Sequence, residues 1–544
     1  MRRPLAALIF LLFSPSEVDA IPYRAVAVSG DAATGFDGQV FESLSAARIN
    51  NSGVVAFSGN VSGGAEFGAD GIWMEGAGAD DSFRLVVAQG SPQPDAPEMS
   101  FGLNDWGDRF DFTDSEKVVF NASAHPTTSL GFGVFSHSEG VTSTISRLGL
   151  EAPGSPGMVI DDLYNQSFAT AGNGVTFYSG DIENVEGSRS DEVIWVYDGA
   201  SSETVWRRSD GAPTAPNSTI SAIGKFETNR VGDLSVMINY WLPGPDRRSP
   251  IREGALILQR DGDWEEIVKI GDFAPGATGA FFGSLNHFHF LNAQGQVAFP
   301  SYIYGEGVTE GSNQGIWVGN QYEMNLVVRL GDEAPGLEGV SFADSPLSAT
   351  FPLSLTDFDD NGNATFFATL DGEEVTRENL GSVWHWSDEA LRLVARQGDL
   401  APGTGYPFIR VVGGLMNNAG QVVVQGLSGP AWNDPLNRFG IWATSPEGQL
   451  RLIVKEGDVI NVRSSTHSTT QKIVETVSDA GWRDPWSTAT KFNDSGELVV
   501  TLGFTDGTDG VFVFDTAIPE PSTGCLWALL LFFATSNRGL RPHP

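Results

Sequence analysis

The sequence has a single cysteine, Cys525. No intramolecular disulfide can form, so stability has to come from packing. Basic residues are scarce: 32 Lys and Arg stand against 68 Asp and Glu, a formal net charge of −36. A nucleic-acid surface needs surplus Lys and Arg to neutralise phosphates, so nucleic acid is excluded as a partner. The longest apolar runs lie at the two ends, and both are too short to cross a bilayer as a helix. Sustained helical spacing of apolar residues is absent. So are a P-loop, a Rossmann glycine set, a nucleophile elbow and a His-Glu-x-x-His pair. What is abundant is glycine (65), proline (29), Phe (35) and Trp (14), in a chain that is 41% hydrophobic. The aromatics are enough to build a core, which excludes a disordered acidic polymer. The glycines and prolines demand many turns, hence short strands.

Self-similarity organises the rest. A strand-like phrase ending near Gly-Asp recurs at Tyr23–Asp31, Phe83–Ser91, Val141–Leu150, Ser202–Gly211, Trp264–Asp272, Met324–Asp332, Leu391–Asp399 and Leu450–Asp458. Ala-Pro-Gly follows in several copies, as at Ala274-Pro275-Gly276 and Ala401-Pro402-Gly403. A Gly-Ile-Trp-like phrase recurs as Ile72-Trp73, Val134-Phe135, Ile194-Trp195, Ala255-Leu256, Ile316-Trp317, Val383-Trp384, Ile441-Trp442 and Val511-Phe512. A third phrase is an Asn-Gly turn before an apolar strand, as at Asn51-Ser52-Gly53, Asn292–Gly295, Asn418–Gly420 and Asn493–Gly496. Asn, Asp and Gly tolerate the positive φ that tight hairpins need. Each unit of about 60 residues therefore holds four short antiparallel strands, the pattern of a β-propeller blade.

The fold class expected is all-β, a propeller of eight four-stranded blades, to within one. Its phase carries further information. The chain begins with a fourth strand, Tyr23–Ser29, and ends with a third, Gly510–Asp515. Pairing those two closes the ring and removes two open sheet edges. Residues 21–517 then form one domain, and the Trp series is expected in the core between blades.

The two ends read as addresses. Arg2 and Arg3, the apolar run Leu5–Phe13 and Val18-Asp19-Ala20 have the order of a secretory signal over residues 1–20. At the other end, Ile518-Pro519-Glu520-Pro521-Ser522-Thr523 precedes the apolar run Gly524–Thr535, followed by Arg538 and Arg541. Segment 518–544 resembles the PEP-CTERM sorting tail of Gram-negative bacteria. The resemblance implies export, recognition by an exosortase, release or anchoring at the cell surface, frequent association with exopolysaccharide, and membrane contact only through this tail. Over residues 23–515, the Asn-x-x-Gly and Gly-Asp-x-Ala-Pro-Gly phrases resemble repeat proteins exported with such tails, a family without assigned chemistry.

Few residues present themselves as a site. Asp357, Asp359 and Asn361 have the spacing that opens an oxygen-rich Ca²⁺ loop, but the closing carboxylate position holds Ala368. His287 and His289 fall on one strand face without a third ligand in reach along the sequence. Asp31, Asp272, Asp332, Asp399 and Asp458 repeat at equivalent corners, as turn residues accepting backbone N–H groups do. The loops between second and third strands vary most: 181–191, 243–253, 304–314, 371–380 and 428–439. They are expected on one face, where binding residues concentrate. Arg247, Arg248 and Arg252 make a basic spot in one of them. No catalytic residue and no cofactor is nominated. The function expected is a non-enzymatic binding or scaffold propeller at the cell surface or in the matrix, with exopolysaccharide, other surface glycans or proteins as partners. The alternatives are a polysaccharide-active hydrolase or lyase and a Ca²⁺-stabilised structural module.

Overall fold

Short Val-, Phe- and Trp-rich segments between Asn-Gly and Gly-Asp turns pair antiparallel into eight sheets. The computed structural model describes residues 21–517 apart from 64–69, 77–82, 104–108, 126–131, 185–188, 216, 244–250, 286–287, 345–351, 464–467 and 479–489. The expected signal (1–20) and sorting tail (518–544, with Cys525) lie outside the described residues.

Blade 1 runs outward from Phe41–Ile49 through Val55–Val61 and Gly71–Glu75 to Phe83–Ala88. Blades 2 to 7 follow the same order, with inner strands starting at Ala96, Met158, Thr219, Ala280, Val340 and Phe408. Blade 8 consists of Thr469–Val477, Glu497–Phe504, Asp509–Asp515 and, as its fourth strand, Tyr23–Val28. The closing pair runs in register from Tyr23 opposite Phe514 to Val28 opposite Gly510. The propeller, its eight blades and its closure by the N-terminal strand are as the sequence predicts.

The repeated phrases are coupled physically. Trp73, Trp195, Trp317, Trp384 and Trp442 are fully buried. Trp73 packs with Phe41 and Phe57 of its own blade and with Val511 and Val513 of blade 8. Trp317 likewise meets Met237 and Leu256 of the blade before it. A buried indole N–H needs an acceptor. It finds the corner that opens its own blade: Trp195 donates to the Pro153 carbonyl at 3.2 Å, Trp317 to Pro275 at 3.0 Å and Trp442 to Pro402 at 2.9 Å. The glycine two residues before the ring makes room for it. A Cβ on Gly315 would stand 2.7 Å from Trp317, and one on Gly71 2.6 Å from Trp73. Gly-Ile-Trp and Ala-Pro-Gly are thus two halves of one contact.

Two places differ from the expected pattern. The variable loop 181–191 is largely strand. The ladder between Thr176–Asn184 and Arg189–Tyr197 continues to Glu183 opposite Arg189, because Ile182 is buried beyond the expected strand end. In blade 8 the Ala-Pro-Gly corner is replaced by an inserted pairing of Val459–Arg463 with Thr469–Ile473. It buries Ile460 and Val462 against the closing blade, and the Asn461 N–H donates to the Tyr23 hydroxyl at 2.8 Å.

Closure makes a direct prediction. Deleting Tyr23–Val28 leaves the Gly510–Phe514 edge unpaired and its buried Phe512 and Phe514 open on one side. The truncated chain is expected to self-associate on size exclusion, and a peptide of the missing strand should restore the monomer-sized peak. Unchanged elution and melting of the truncated chain would show that the ring does not need this strand.

Candidate functional site: the axial mouth and the loop face

Every inner strand runs from a corner to the turn before the second strand, in most blades from Gly-Asp to Asn-x-x-Gly, so the turns converge around the propeller axis at one end. In blades 1, 4, 5, 7 and 8 the leading Asn holds its own hairpin. Asn493 Oδ1 accepts the N–H groups of Ser495 (3.1 Å) and Glu497 (2.9 Å), and Asn229 Oδ1 those of Val231 and Asp233. This leaves the amide NH₂ to reach the next blade. Asn229 donates to the Asn292 carbonyl (2.8 Å) and Asn292 to that of Asp359 (3.2 Å). Asn417 donates to Asn493 (3.0 Å), Asn493 to Asn50 (3.0 Å) and Asn50 to Thr113 (3.3 Å). In blade 6 an Asp leads the turn and cannot donate. Asn361 of the same turn supplies the missing bond, to the Asn418 carbonyl at 2.8 Å.

The second turn position adds charge. Asp114 accepts the Asn51 N–H at 2.8 Å, Asp360 that of Ala293 at 2.7 Å and Asp494 that of Asn418 at 3.0 Å. In blade 4 this position is Arg230. Its guanidinium pairs with Asp360 of blade 6 and lies 3.4 Å from Asp494 of blade 8, on the opposite side of the ring. The turns enclose a cavity of about 180 Å³, with Arg48 and Lys491 among its lining residues. Burial raises the Asp359 carboxyl above the usual carboxylate range, against the hydrogen bonds from Asn363 and Asn361.

The sequence-predicted Ca²⁺ residues meet here without converging. Asp357 Oδ2 accepts the Met416 N–H of the next blade at 2.8 Å. Asp359 accepts from Asn361 and Asn363 within its own turn, and Asn361 points its amide at blade 7. Among the described residues no group of three or more His, Cys, Asp or Glu side chains is placed to hold a metal ion. His289 is fully buried, its Nε2 2.9 Å from Ser235 Oγ; His287 lies outside the described residues. The corner aspartates do turn chemistry: Asp31, Asp272, Asp332 and Asp458 each accept the N–H three residues earlier, at 2.8 to 3.1 Å. Asp399 occupies the same corner of blade 7 and carries its backbone bonds. Arg252 is exposed opposite Trp241; Arg247 and Arg248 lie outside the described residues.

The corners and the loops between second and third strands share the face opposite the Asn turns. Exposed aromatics collect there. On blade 5, Phe273 (55% exposed), Phe281 (39%), Tyr302 and Tyr304 (52%) form one group. The Phe281 ring lies 6.3 Å from Phe273 and 5.9 Å from Tyr304. On blade 7, Tyr406, Trp432 (61%) and Phe439 are open to solvent.

Glu192 sits directly across the ladder from buried Asp181 on blade 3. Burial, reinforced by the Asp181 charge, pushes its carboxyl up to about 7.

Sequence reasoning missed Arg230 and the blade 5 aromatics. Arg230 stands inside Asn229-Arg230-Val231-Gly232, an Asn-x-x-Gly turn hidden in the most divergent unit. Phe273 and Phe281 form a bridge pair whose counterparts in other units are Ala32 with Val40 and Glu333 with Ser341. Aligning the corners would have shown the exchange of small or charged residues for aromatic ones.

The model of a family of unknown function, DUF7453, matches residues 16–323 and again 319–525. The comparison with curated proteins finds no match. Among solved structures, similarity is found to a Trypanosoma rangeli sialidase complexed with the inhibitor DANA (11% identity, TM-score 0.25, 68% of this chain and 56% of that one). It is found also to the polysaccharide lyase Uly1 (10%, TM-score 0.35, 79% and 98%). A third is the Pyrococcus horikoshii acylaminoacyl peptidase (13%, TM-score 0.35, 80% and 57%). The chain thus spans little more than half the length of the sialidase and of the peptidase.

Two predictions follow from this geometry. Asn493→Ala removes a fully buried amide and strands its partners, and should lower stability by about 2–4 kcal/mol in urea unfolding. Arg230→Ala, at a solvent-accessible ion pair, should cost about 1 kcal/mol or less. The reverse order would show that the charge, not the amide ring, holds the axis. The second concerns pH. A carboxyl raised in the folded state keeps its proton where the unfolded chain, with its value near 4.5, has lost it. Its stabilising share is complete below 4.5 and disappears as pH rises toward 7. The stability difference between the native chain and Glu192→Gln should change across that window; a difference constant with pH would contradict the assignment.

Proposed function

We propose that this chain, which belongs to the DUF7453 family, is an exported propeller held at the cell surface or in the matrix, where it binds glycans without transforming them. The observation that carries the reading is the concentration of exposed aromatic rings on the loop face. Flat apolar rings with polar edges suit the C–H faces and hydroxyls of sugars. The placement of the ends supports it. Arg24, next to the start of the closing strand, donates to the Gly53 carbonyl, and Ala517 lies against Gly496. Both glycines belong to Asn turns. A tail leaving beside Ala517 would tether the turn face and leave the loop face outward. In the axial mouth, Asp114, Asp360 and Asp494 cap backbone N–H groups, which suits a structural part. The sorting tail implies an exosortase as a transient partner.

One observation favours a second reading, a polysaccharide-active enzyme. Glu192 keeps its proton up to about pH 7 beside Asp181, as a general acid must. A glycan array with the purified exported protein, followed by product analysis on every hit, separates the two. Retention with unchanged chain length, weakened by Trp432→Ala, is expected. Shortened or unsaturated products abolished by Glu192→Gln would establish the enzyme, and an array without any retained glycan would remove both.

A further inference from the structure

We infer that the aromatic corner of blade 5 is a binding site for an amine-bearing glycan, a polysaccharide with protonated hexosamine units. The inference deepens the glycan-binding reading above and rests on it.

The site is built from a strand-pairing irregularity that recurs at most corners. Where other units pair Ala32 with Val40 or Glu333 with Ser341, this one pairs Phe273 with Phe281. Phe281 is directly opposite Tyr304 in the ladder, and Tyr302 follows on the same face one step further along the strand. The Phe281 and Tyr304 rings are tilted by 34°, and Phe273 meets Phe281 edge-on at 87°. Such mutual packing holds the rings in place while leaving each about two-fifths or more exposed. A Cβ on Gly283 would stand 3.1 Å from the Tyr304 ring, so this glycine gives the ring its seat.

The charge around the rings selects the ligand. Exposed Glu306 follows Tyr304 by two residues and packs against Gly279 of the same corner. Glu310 is exposed in the next turn of that loop, and Glu333 on the adjoining corner, whose Gly331 touches Gly311 and Ser312. Among the described residues, the cations beside this corner are engaged: Arg329 through its Nε with the Ser312 carbonyl at 2.6 Å, and Lys269 with Glu266 at 3.2 Å. The surroundings are therefore acidic, on a chain of net charge −36. An anionic glycan is repelled, whereas an ammonium group gains from both the carboxylates and the ring faces. A cationic peptide is the other class with this charge. Peptides that use a sheet edge need unpaired backbone groups, and here Tyr302 and Tyr304 are paired in the ladder with Ser284 and Phe281, and Tyr302 with Gln314 on its other side. Only side-chain surface is offered, which favours the saccharide.

The test is calorimetric titration of the full-length protein with a glucosamine oligomer, its fully N-acetylated counterpart and an oligolysine of similar charge. The glucosamine oligomer should bind at least ~10-fold more tightly than the acetylated one, and Phe281→Ala with Tyr304→Ala should weaken it by ~10-fold or more. Tyr304→Phe alone, which keeps both rings, should bind nearly as tightly as the native chain, and added salt should weaken binding. Equal affinity for the acetylated oligomer would overturn the amine requirement. Undiminished binding by the double variant would overturn the site while leaving a glycan-binding propeller intact. Tighter binding of oligolysine would make the partner a protein. No saccharide binding, here or on the array, would remove the glycan reading itself.

Discussion

An aromatic ring on the third strand, pressed against the preceding blade, is the contact on which seven of the eight blades turn; blade 4 has buried Leu256 in its place. In five blades the ring is a fully buried Trp, and in blades 2 and 8 it is Phe135 and Phe512. The ring fixes three things at once. Its bulk fills the space between neighbouring sheets. Its edge and face contacts with the inner and second strands, such as Phe408 at 4.8 Å from Trp442 and Tyr178 stacked on Trp195, set the depth at which the strands lie. In four blades the indole N–H also ties the third strand to the corner that starts the blade, whereas Trp384 donates to Ser382 of its own strand. With no disulfide available, this repeated unit of burial plus one hydrogen bond is how a chain of short strands holds a unique ring.

The axis is held by a different chemistry. The convergent turns surround a cavity rather than a packed aromatic layer. They exchange amide hydrogen bonds instead, each leading Asn closing its own hairpin with its oxygen and the next blade with its nitrogen. The arrangement tolerates local failures: blade 6 replaces the amide donor with Asn361, and blades 2 and 3 place Thr113 and Ala171 at the leading position. Arg230 then draws opposite sides of the mouth together through Asp360 and Asp494. The other face is the one where corners and loops are free to vary without disturbing either lock.

Much of this was legible in the sequence because it is repeated. Gly-Asp, Ala-Pro-Gly, Gly-Ile-Trp and Asn-x-x-Gly recur with regular spacing, so blade number and the phase offset between Tyr23 and Phe514 could be counted. The candidate sites were less legible. Phe281 and Phe282 are adjacent and chemically identical, yet one is 39% exposed and the other 1%. Alternation says they face opposite ways but not which face the next blade covers. Arg230 and Asp494 are 264 residues apart and meet only because the ring brings blade 4 opposite blade 8. The Asp357–Asn361 spacing imitates a cation loop because Asp and Asn at alternate positions also suit a hairpin turn, and hydrogen-bonding partners decide between the two.

The seating of Tyr23–Val28 beside Gly510–Asp515 has a consequence for timing. Tyr23–Val28 leaves the ribosome before the other strands of the ring yet is the last to find its place, since its partner Gly510–Phe514 follows all seven other sheets. Seven sheets can assemble as the chain emerges, each on its predecessor, while the eighth stays incomplete. Contacts so distant in sequence form slowly, and an open sheet edge waits meanwhile. A chain cut short anywhere before Gly510 can never latch, so the ring itself tells a closed propeller from an open fragment.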